Sequence, residues 1–356
     1  MADVGTVRCR RERRLGRITL DRPRRINALD LEMIRAIRAA LDRWEGDDDV
    51  ELVVLDGTGE RGFCAGGDLT VVHASATGDG TDATVLWREE YELDLRMAEF
   101  GKPVVALMDG MVMGGGLGLT VNADLRVVTD RSTLAMPEVG IGLAPDVGAS
   151  HFLRAGPGHV GTHLALTGDR LAGPEAIGAG LADVLVPRER LEAFLETLQT
   201  SAPHRAAARH GDPAAGTGPS PAAAWIDECY DATDPLEIVT RLGAHPDPAA
   251  QRAAGTIRGA SPTAVWVARR ALLEAERRPG LAACLERDFR MCVHFLRHPD
   301  LAAGTGAVVA RSGAPRWAPA RLEDVAPDEV EAFFAPLDGV AGPALGTPDA
   351  VRPGCR

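Results

Sequence analysis

The sequence predicts an α/β fold with at least partly parallel strands, extended by a helical C-terminal portion. Three observations carry this. Short apolar runs such as VELVVLDGTG and KPVVALMDG alternate with longer amphipathic stretches, so helical crossovers separate the strands. Two glycine-rich turns, GERGFCAGGDL and MVMGGGLGL, follow or lead apolar runs. After about residue 203 the strand-like runs stop and a helical period takes over.

The elements follow in order. GRITLDRP reads as a strand closed by a turn at Arg22 and Pro23. In NALDLEMIRAIRAALDRWEGDDD the residues Leu29, Met33, Ile34, Ile37 and Leu41 recur at helical spacing, with Asp30 placed to cap the start. VELVVLDGTG is a buried strand, GERGFCAGGDL a turn, residues 81–100 a helix and KPVVALMDG a further strand. A glycine triplet then opens an apolar helix in MVMGGGLGLTVNAD, and LRVVTD and STLAMP are strands. HFLRAGPGHVGTHLALTG and AGPEAIGAGLADVLVP supply helices and a closing strand. Residues 1–202 therefore form the core, 203–222 a flexible Ala/Pro/Gly-rich linker or loop, 223–338 a helical portion, and 339–356 a disordered tail of turn formers.

Bulk properties narrow the function. With 356 residues, 45% of them apolar, the chain can build a sizeable core. Its net charge of -12 argues against nucleic acid as a partner, though a local basic patch could still hold a small anion. Nothing approaches the roughly 18 apolar residues of a membrane span. The start, MADVGTVRCRRERRLGRITL, lacks the apolar centre of a secretory signal, so a cytoplasmic protein is expected. Cys9, Cys64, Cys229, Cys284, Cys292 and Cys355 show no CxxC spacing and read as free thiols. His73, His151 and His163 have no spacing that suggests a metal.

The two glycine-rich turns are suited to donating backbone N–H groups. Ala65, Gly66 and Gly67 carry almost no side chain, and Gly114 to Gly116 open a helix whose first amides lack internal partners. Two such donors aimed at one oxygen stabilise the oxyanion of an ester, thioester or enolate. Tight turns alone would also explain the glycines. The dinucleotide pattern is not completed, because Leu119 stands where its last glycine belongs. MPEVGIGLAPDVGAS adds Glu138 and Asp146, each after a proline, in apolar and glycine-rich surroundings where an unpaired charge is costly. Read alone, Asp146 would be a turn or cap residue.

The order NALD, GERGFCAGGDL, KPVVALMDGMVMGGGLGL, MPEVGIGLAPDVG, LALTGDRLAGPEAIGAGLADVLV resembles the crotonase (enoyl-CoA hydratase/isomerase) superfamily from about Gly16 to Pro187. Within it the likeness is to the 3-hydroxyisobutyryl-CoA hydrolases, through MDGMVMGGGLGL, MPEVGIGLAPDVG, REEY at Arg88 to Tyr91, and the helical half with SPTAVWVARR and CLERDFR. The resemblance implies a ββα spiral core that binds acyl-CoA. It implies an oxyanion hole from the amides of Ala65 and Gly115, with Gly114, Gly66 and Gly67 shaping the two turns. The turn from Cys64 to Asp68 would lie near the adenine, and Arg25 or Arg24 would meet CoA phosphates.

Hydratases of the superfamily carry a catalytic glutamate where this chain has Gly118, and a second in the PE segment, here Glu138. Asp146 stands where hydratases have a glycine. The resemblance therefore implies hydrolysis of a short 3-hydroxyacyl-CoA, as in valine catabolism. Glu138 would attack the carbonyl or activate water, and Asp146 would accept the substrate's 3-hydroxyl. A site built to bond a hydroxyl rejects the analogue lacking it by roughly 10⁴ in favourable cases. No permanently bound cofactor is implied, coenzyme A being part of the substrate, and trimers or hexamers are common among the relatives.

Several departures keep alternatives open. Ala144 and Ala149 replace an aromatic and a glycine flanking PDVG, and Ala303, Gly306, Arg311 and Ser312 stand at or near places where the family has an acidic residue, an arginine and a DK pair. The alternatives are a lyase, isomerase or hydratase on a specialised CoA or carrier-protein thioester, and a non-catalytic acyl-CoA-binding protein.

Overall fold

Two sheets grow side by side as the chain winds. The computed structural model describes residues 6–213, 215 and 224–346. β1 (Val7–Glu12) and β2 (Leu15–Leu20) form an antiparallel hairpin, and β2 then pairs in parallel with β3 (Leu52–Gly57). From there each turn of the spiral adds one strand to each sheet. β3 is followed by β4 (Gly62–Cys64), β5 (Val104–Met108) by β6 (Met111–Met113), and β7 (Leu125–Val128) by β8 (Thr133–Ala135). β9 (Leu171–Ala172) and β10 (Val184–Leu185) close the edges. The larger sheet has the order β1-β2-β3-β5-β7-β10, and the smaller β4-β6-β8-β9. Apart from β1–β2 and β8–β9 every pairing is parallel. This is the ββα spiral the family resemblance implies.

The central strands are buried on both faces, which is why they read as continuous apolar runs. In β3, Val53 and Leu55 face the main core, whereas Leu52 and Val54 face a smaller cluster with Val105, Leu107, Phe194 and Leu198. Helix α1 (Leu31–Glu45) starts where Asp30 accepts a hydrogen bond from Met33 N at 2.9 Å, and buries Met33, Ile34, Ile37 and Leu41. Such a cap contributes about 1 kcal/mol. Helix α2 (Leu69–Ala76) and the long α3 (Thr81–Glu99) follow the β4 turn, and α4 (Gly115–Val121) follows β6.

Three parts differ from the sequence expectation. β1 is a strand despite its arginines, because an edge strand needs only one apolar face, supplied by Val7 and Cys9. Within 203–222, Pro203–His210 is a helix with Pro203 in its first turn, while residues 214 and 216–222 lie outside the described residues. Residues 339–346 are packed rather than frayed. Arg88 Nε donates to Ala341 O and Ala344 N donates to Glu92 Oε1, each at 2.9 Å, and Leu345 is buried. Gly and Pro there exclude regular structure, not packing; residues 347–356 lie outside the described residues. The helical C-terminal portion shares the main core with the spiral: Phe289 and Phe295 join the same cluster as Met33 and Leu55.

Candidate active site

The turn after β4 is held by Asn27 of NALD. Its buried Nδ2 donates to Phe63 O at 2.9 Å, Thr58 O at 3.0 Å and Gly62 O at 3.3 Å, and its Oδ1 accepts from Arg22 N at 2.8 Å. The Ala65 amide donates to Ile26 O at 2.9 Å, so it is already used inside the fold. This corrects the sequence assignment of an oxyanion donor. Leu29 N donates to Gly66 O at 2.8 Å and Asp68 N to Leu29 O at 2.9 Å, a parallel bridge that turns the Gly67 amide away from Leu29. Among the described residues the Gly67 N–H has no partner, and a Cβ added at Gly67 would meet nothing within 4 Å. The free amide facing open space in this turn is that of Gly67.

The second turn meets the first. Gly114 adopts φ 50°, ψ -122°, and its carbonyl receives Leu117 N at 2.8 Å and Gly118 N at 3.2 Å, which starts α4. The Gly115 N–H, in the first turn of α4, has no partner among the described residues. A Cβ on Gly66 (φ +95°) would lie 3.4 Å from Gly115 N, so the two turns abut.

Cys64 and Asp68 brace this arrangement. The Cys64 thiol donates to Asn27 O at 3.2 Å, and burial pushes it up to about 12, which removes it as a nucleophile. Burial would raise Asp68, but the Thr70 N–H and Arg22 outweigh it and hold the carboxyl below its ordinary range. Asp68 thereby caps α2 and pairs with Arg22 at 2.8 Å. Arg24 and Arg25 are exposed on the short turn Pro23–Arg25, next to Arg61, whose Nη2 donates to Pro23 O at 2.9 Å.

Glu138 opens the short turn Glu138–Ile141, 5% exposed; its Oε1 would lie 2.8 Å from a Cβ on Gly114, and its Oε2 has no hydrogen-bond partner. Asp146, also 5% exposed, accepts from the Tyr91 hydroxyl at 2.6 Å. Its turn passes through Val147 at φ 52° and is pinned by Gly148 N donating to Asp288 Oδ2 at 2.8 Å. Asp288 comes from the helix Leu281–Phe295, so the C-terminal portion forms one wall of the site.

Helix α3 forms another wall. Glu90 and Asp94, four residues apart, lie against α4. A Cβ on Gly115 would come 2.2 Å from Glu90 Oε1, and one on Gly118 would come 2.9 and 3.1 Å from the two Asp94 oxygens. Glu90 Oε1, both Asp94 oxygens and Asp288 Oδ1 lack hydrogen-bond partners. Glu90, Asp94, Glu138, Asp146 and Asp288 are thus a cluster of buried carboxyls, with Arg287 beside Asp288. Burial is the leading cause of raised pKa in each, followed by the neighbouring carboxylates for all but Asp146. Glu90 and Asp288 are pushed to about 8, Asp94 and Glu138 well upward, and Asp146 only to about 6, because Tyr91, its own backbone N–H and Cys292 bond its charged form. The cluster can hold little charge at neutral pH, and Asp146 takes it first.

The sequence reading brought Glu138, Asp146, Gly114 and Gly115 together as the structure does. Glu90 appears in it only within REEY and Asp94 not at all, Asp288 only within CLERDFR, and Cys292 only as a free thiol. A signal existed for the first two. The buried face of α3 runs Ala83, Leu86, Trp87, Glu90, Asp94, Met97, so two carboxylates occupy an apolar stripe. The altered segment beyond residue 299 also acquires a place. In the helix Pro299–Ala310, a Cβ on Gly304 would lie 2.3 Å from Ile141 C and O, so this helix backs the Glu138 turn. His163 is satisfied by Tyr230 at 2.8 Å and Asp169 at 3.0 Å, and no group of His, Cys, Asp and Glu fit for a metal occurs among the described residues.

Comparison with known proteins agrees with this architecture. A family model described as enoyl-CoA hydratase/isomerase matches residues 15–334. The mitochondrial 3-hydroxyisobutyryl-CoA hydrolase of Rattus norvegicus is 37% identical over 334 residues, covering 90% of this chain and 86% of that protein. A solved structure from Mycobacterium thermoresistibile, described as a carnitinyl-CoA dehydratase, is 39% identical with a TM-score of 0.90, over 94% of this chain and 98% of that one. An enoyl-CoA hydratase structure from Rhodobacter sphaeroides is 36% identical with a TM-score of 0.83, again over 94% and 98%. With its spiral core, abutting glycine turns and PE…PD segment in place, the chain belongs to the enoyl-CoA hydratase/isomerase family.

Proposed function

We propose that the chain hydrolyses a short 3-hydroxyacyl-CoA of the 3-hydroxyisobutyryl-CoA type to the free acid and CoA. The observation that carries this reading is the convergence of Glu138 and Asp146 on two abutting turns with free amides at Gly67 and Gly115, where Gly118 offers no side chain. The thioester oxygen sits between the two amides, which stabilise the oxyanion as the carbonyl carbon becomes tetrahedral. One such donor contributes about 3 kcal/mol to the transition state.

Glu138 supplies the attack. As nucleophile it forms a mixed anhydride and expels CoA thiolate, and water then opens the anhydride. As base it takes a proton from water that adds to the carbonyl directly. Both routes start from ionised Glu138. Burial and Asp146 hold its proton on in the closed site, so the reactive fraction grows with pH. Asp146, the carboxyl ionised first, receives the substrate's 3-hydroxyl. Arg25 and Arg24 meet the CoA phosphates, and the turn Cys64–Asp68 lies beside the adenine.

The wider reading is of a homotrimer or hexamer acting on free acyl-CoA in valine breakdown, with a carrier-protein thioester as the competing substrate. No resident cofactor takes part. No helix among the described residues is long and apolar enough to cross a membrane. A cytoplasmic location is part of the proposal; the rat relative is named mitochondrial, and cell fractionation decides between them. The test of function is a thiol-release assay over 3-hydroxyacyl-CoA and plain acyl-CoA thioesters. Release of free thiol with 3-hydroxyisobutyryl-CoA supports hydrolysis. A new unsaturated or hydrated thioester without thiol release establishes the lyase or hydratase alternative, and tight binding with no turnover the non-catalytic one.

A further inference from the structure

Asp146 differs from the other buried carboxyls in what touches it. The Tyr91 hydroxyl donates to Asp146 Oδ2 at 2.6 Å, and Cys292 Sγ lies 3.1 Å from that hydroxyl and 3.7 Å from the same Oδ2. Tyr91 and Cys292 are sealed from solvent, at 0% and 1% exposure. They come from α3 and from the helix Leu281–Phe295, so two walls converge on one carboxylate oxygen. The other groups facing Asp146 offer no such donor. Glu90 and Asp94 approach from α3, Glu138 from its turn, and Asp288 from the C-terminal helix, and each keeps an oxygen without a partner. The nearby cation, Arg287, donates to Ser150 Oγ at 3.2 Å and acts on Asp288.

We propose that Tyr91, backed by Cys292, is a positioning residue that assigns the negative charge of the carboxyl cluster to Asp146 and leaves its other oxygen, Oδ1, for the substrate hydroxyl. A hydroxyl and a thiol donating to one oxygen favour the charged form of that carboxyl over its neighbours. Without them Asp146 keeps only its own backbone N–H to favour its charged form, as Glu138 does, and the hydroxyl-binding and reacting carboxyls lose the separation of their roles. The inference rests on the reading of Asp146 as the group that receives the 3-hydroxyl.

The experiment uses Tyr91→Phe and Cys292→Ala in the full chain. The titration of Asp146 is followed by carbon NMR of aspartate-labelled protein, its resonance assigned by loss in Asp146→Asn. In Tyr91→Phe the Asp146 midpoint should rise by about one pH unit, a roughly tenfold change in its ionisation equilibrium. In Cys292→Ala it should rise by less. The acid limb of kcat/KM should move with it, and the preference for 3-hydroxyacyl-CoA over the deoxy analogue should fall. A midpoint unchanged in folded Tyr91→Phe overturns the proposal. If that variant does not fold, an unchanged midpoint in Cys292→Ala does so. The NMR readout needs no turnover: a shifted midpoint in a protein that releases thiol from none of the thioesters upholds the charge assignment and refutes hydrolysis.

Discussion

The Asp94 carboxyl fills the space that a side chain on Gly118 would enter: both its oxygens lie about 3 Å from where that Cβ would be. The missing side chain is therefore matched by a carboxyl arriving from another helix. Gly118→Glu, which places the hydratase-type residue at this position, should overpack the α3–α4 contact and cost about 1–3 kcal/mol. It should give no hydratase activity on its own. Adding Asp94→Ala relieves the carboxyl side but leaves Val147 Cβ 2.7 Å from the new Cβ, so the double variant should recover only part of the lost thermal stability. Melting curves of the single and double variants check this.

Glu138→Gln should lower thiol release by about 10³-fold, within the range of a general base or nucleophile. It should leave CoA binding intact, because no part of the CoA reading uses Glu138. Rate measurements and CoA titration separate the two. A single turnover in ¹⁸O water with hydroxylamine trapping adds the mechanism: label entering the Glu138 carboxyl or a Glu138 hydroxamate establishes the anhydride, and label found only in the product with no hydroxamate supports the base.

Asp146→Asn should act on substrate preference. Losing a charge-assisted hydrogen bond to the 3-hydroxyl costs about 1.5–3 kcal/mol, or roughly 10- to 100-fold in kcat/KM. The deoxy acyl-CoA makes no such bond and should change little. The ratio of the two kcat/KM values is the measurement.

The carboxyl cluster predicts how stability depends on pH. Glu90 and Asp288 are raised to about 8 and Asp146 to about 6, against ordinary values of 4.5 for Glu and 3.8 for Asp. Above about pH 4 the unfolded chain has released these protons while the native protein keeps them. Their contribution is therefore full below the ordinary values and is lost as pH rises through 6 to 8. The melting temperature should fall by several degrees from pH 5 to pH 9. Glu90→Gln, which cannot ionise, should flatten that slope and melt higher than the parent at pH 8.

Much of this was legible in the sequence, for identifiable reasons. The central strands announce themselves because burial on both faces demands unbroken apolar runs, and Asp30 does so as a cap. Glu138 and Asp146 stand out because carboxylates rarely sit among glycines and aliphatics. The Ala65 amide could not be told from that of Gly67 in sequence, because the choice depends on which carbonyls Ile26 and Leu29 present to the turn. The place of Asp288 and Cys292 at the site stayed hidden for a similar reason. They lie 142 and 146 residues beyond Asp146, on a helix whose other buried positions, Arg287 apart, are ordinary core.

That helix also sets the moment at which the protein becomes a catalyst. The amide turns, Glu138 and Asp146 all precede residue 150, yet the Asp146 loop is fastened by Asp288 and its carboxylate is backed by Cys292. A nascent chain that has completed the spiral still lacks the group that fixes its own aspartate. The site is therefore complete only once the segment to Phe295 has left the ribosome and docked, and a product stopped before it would lack both this fastening and part of the shared core.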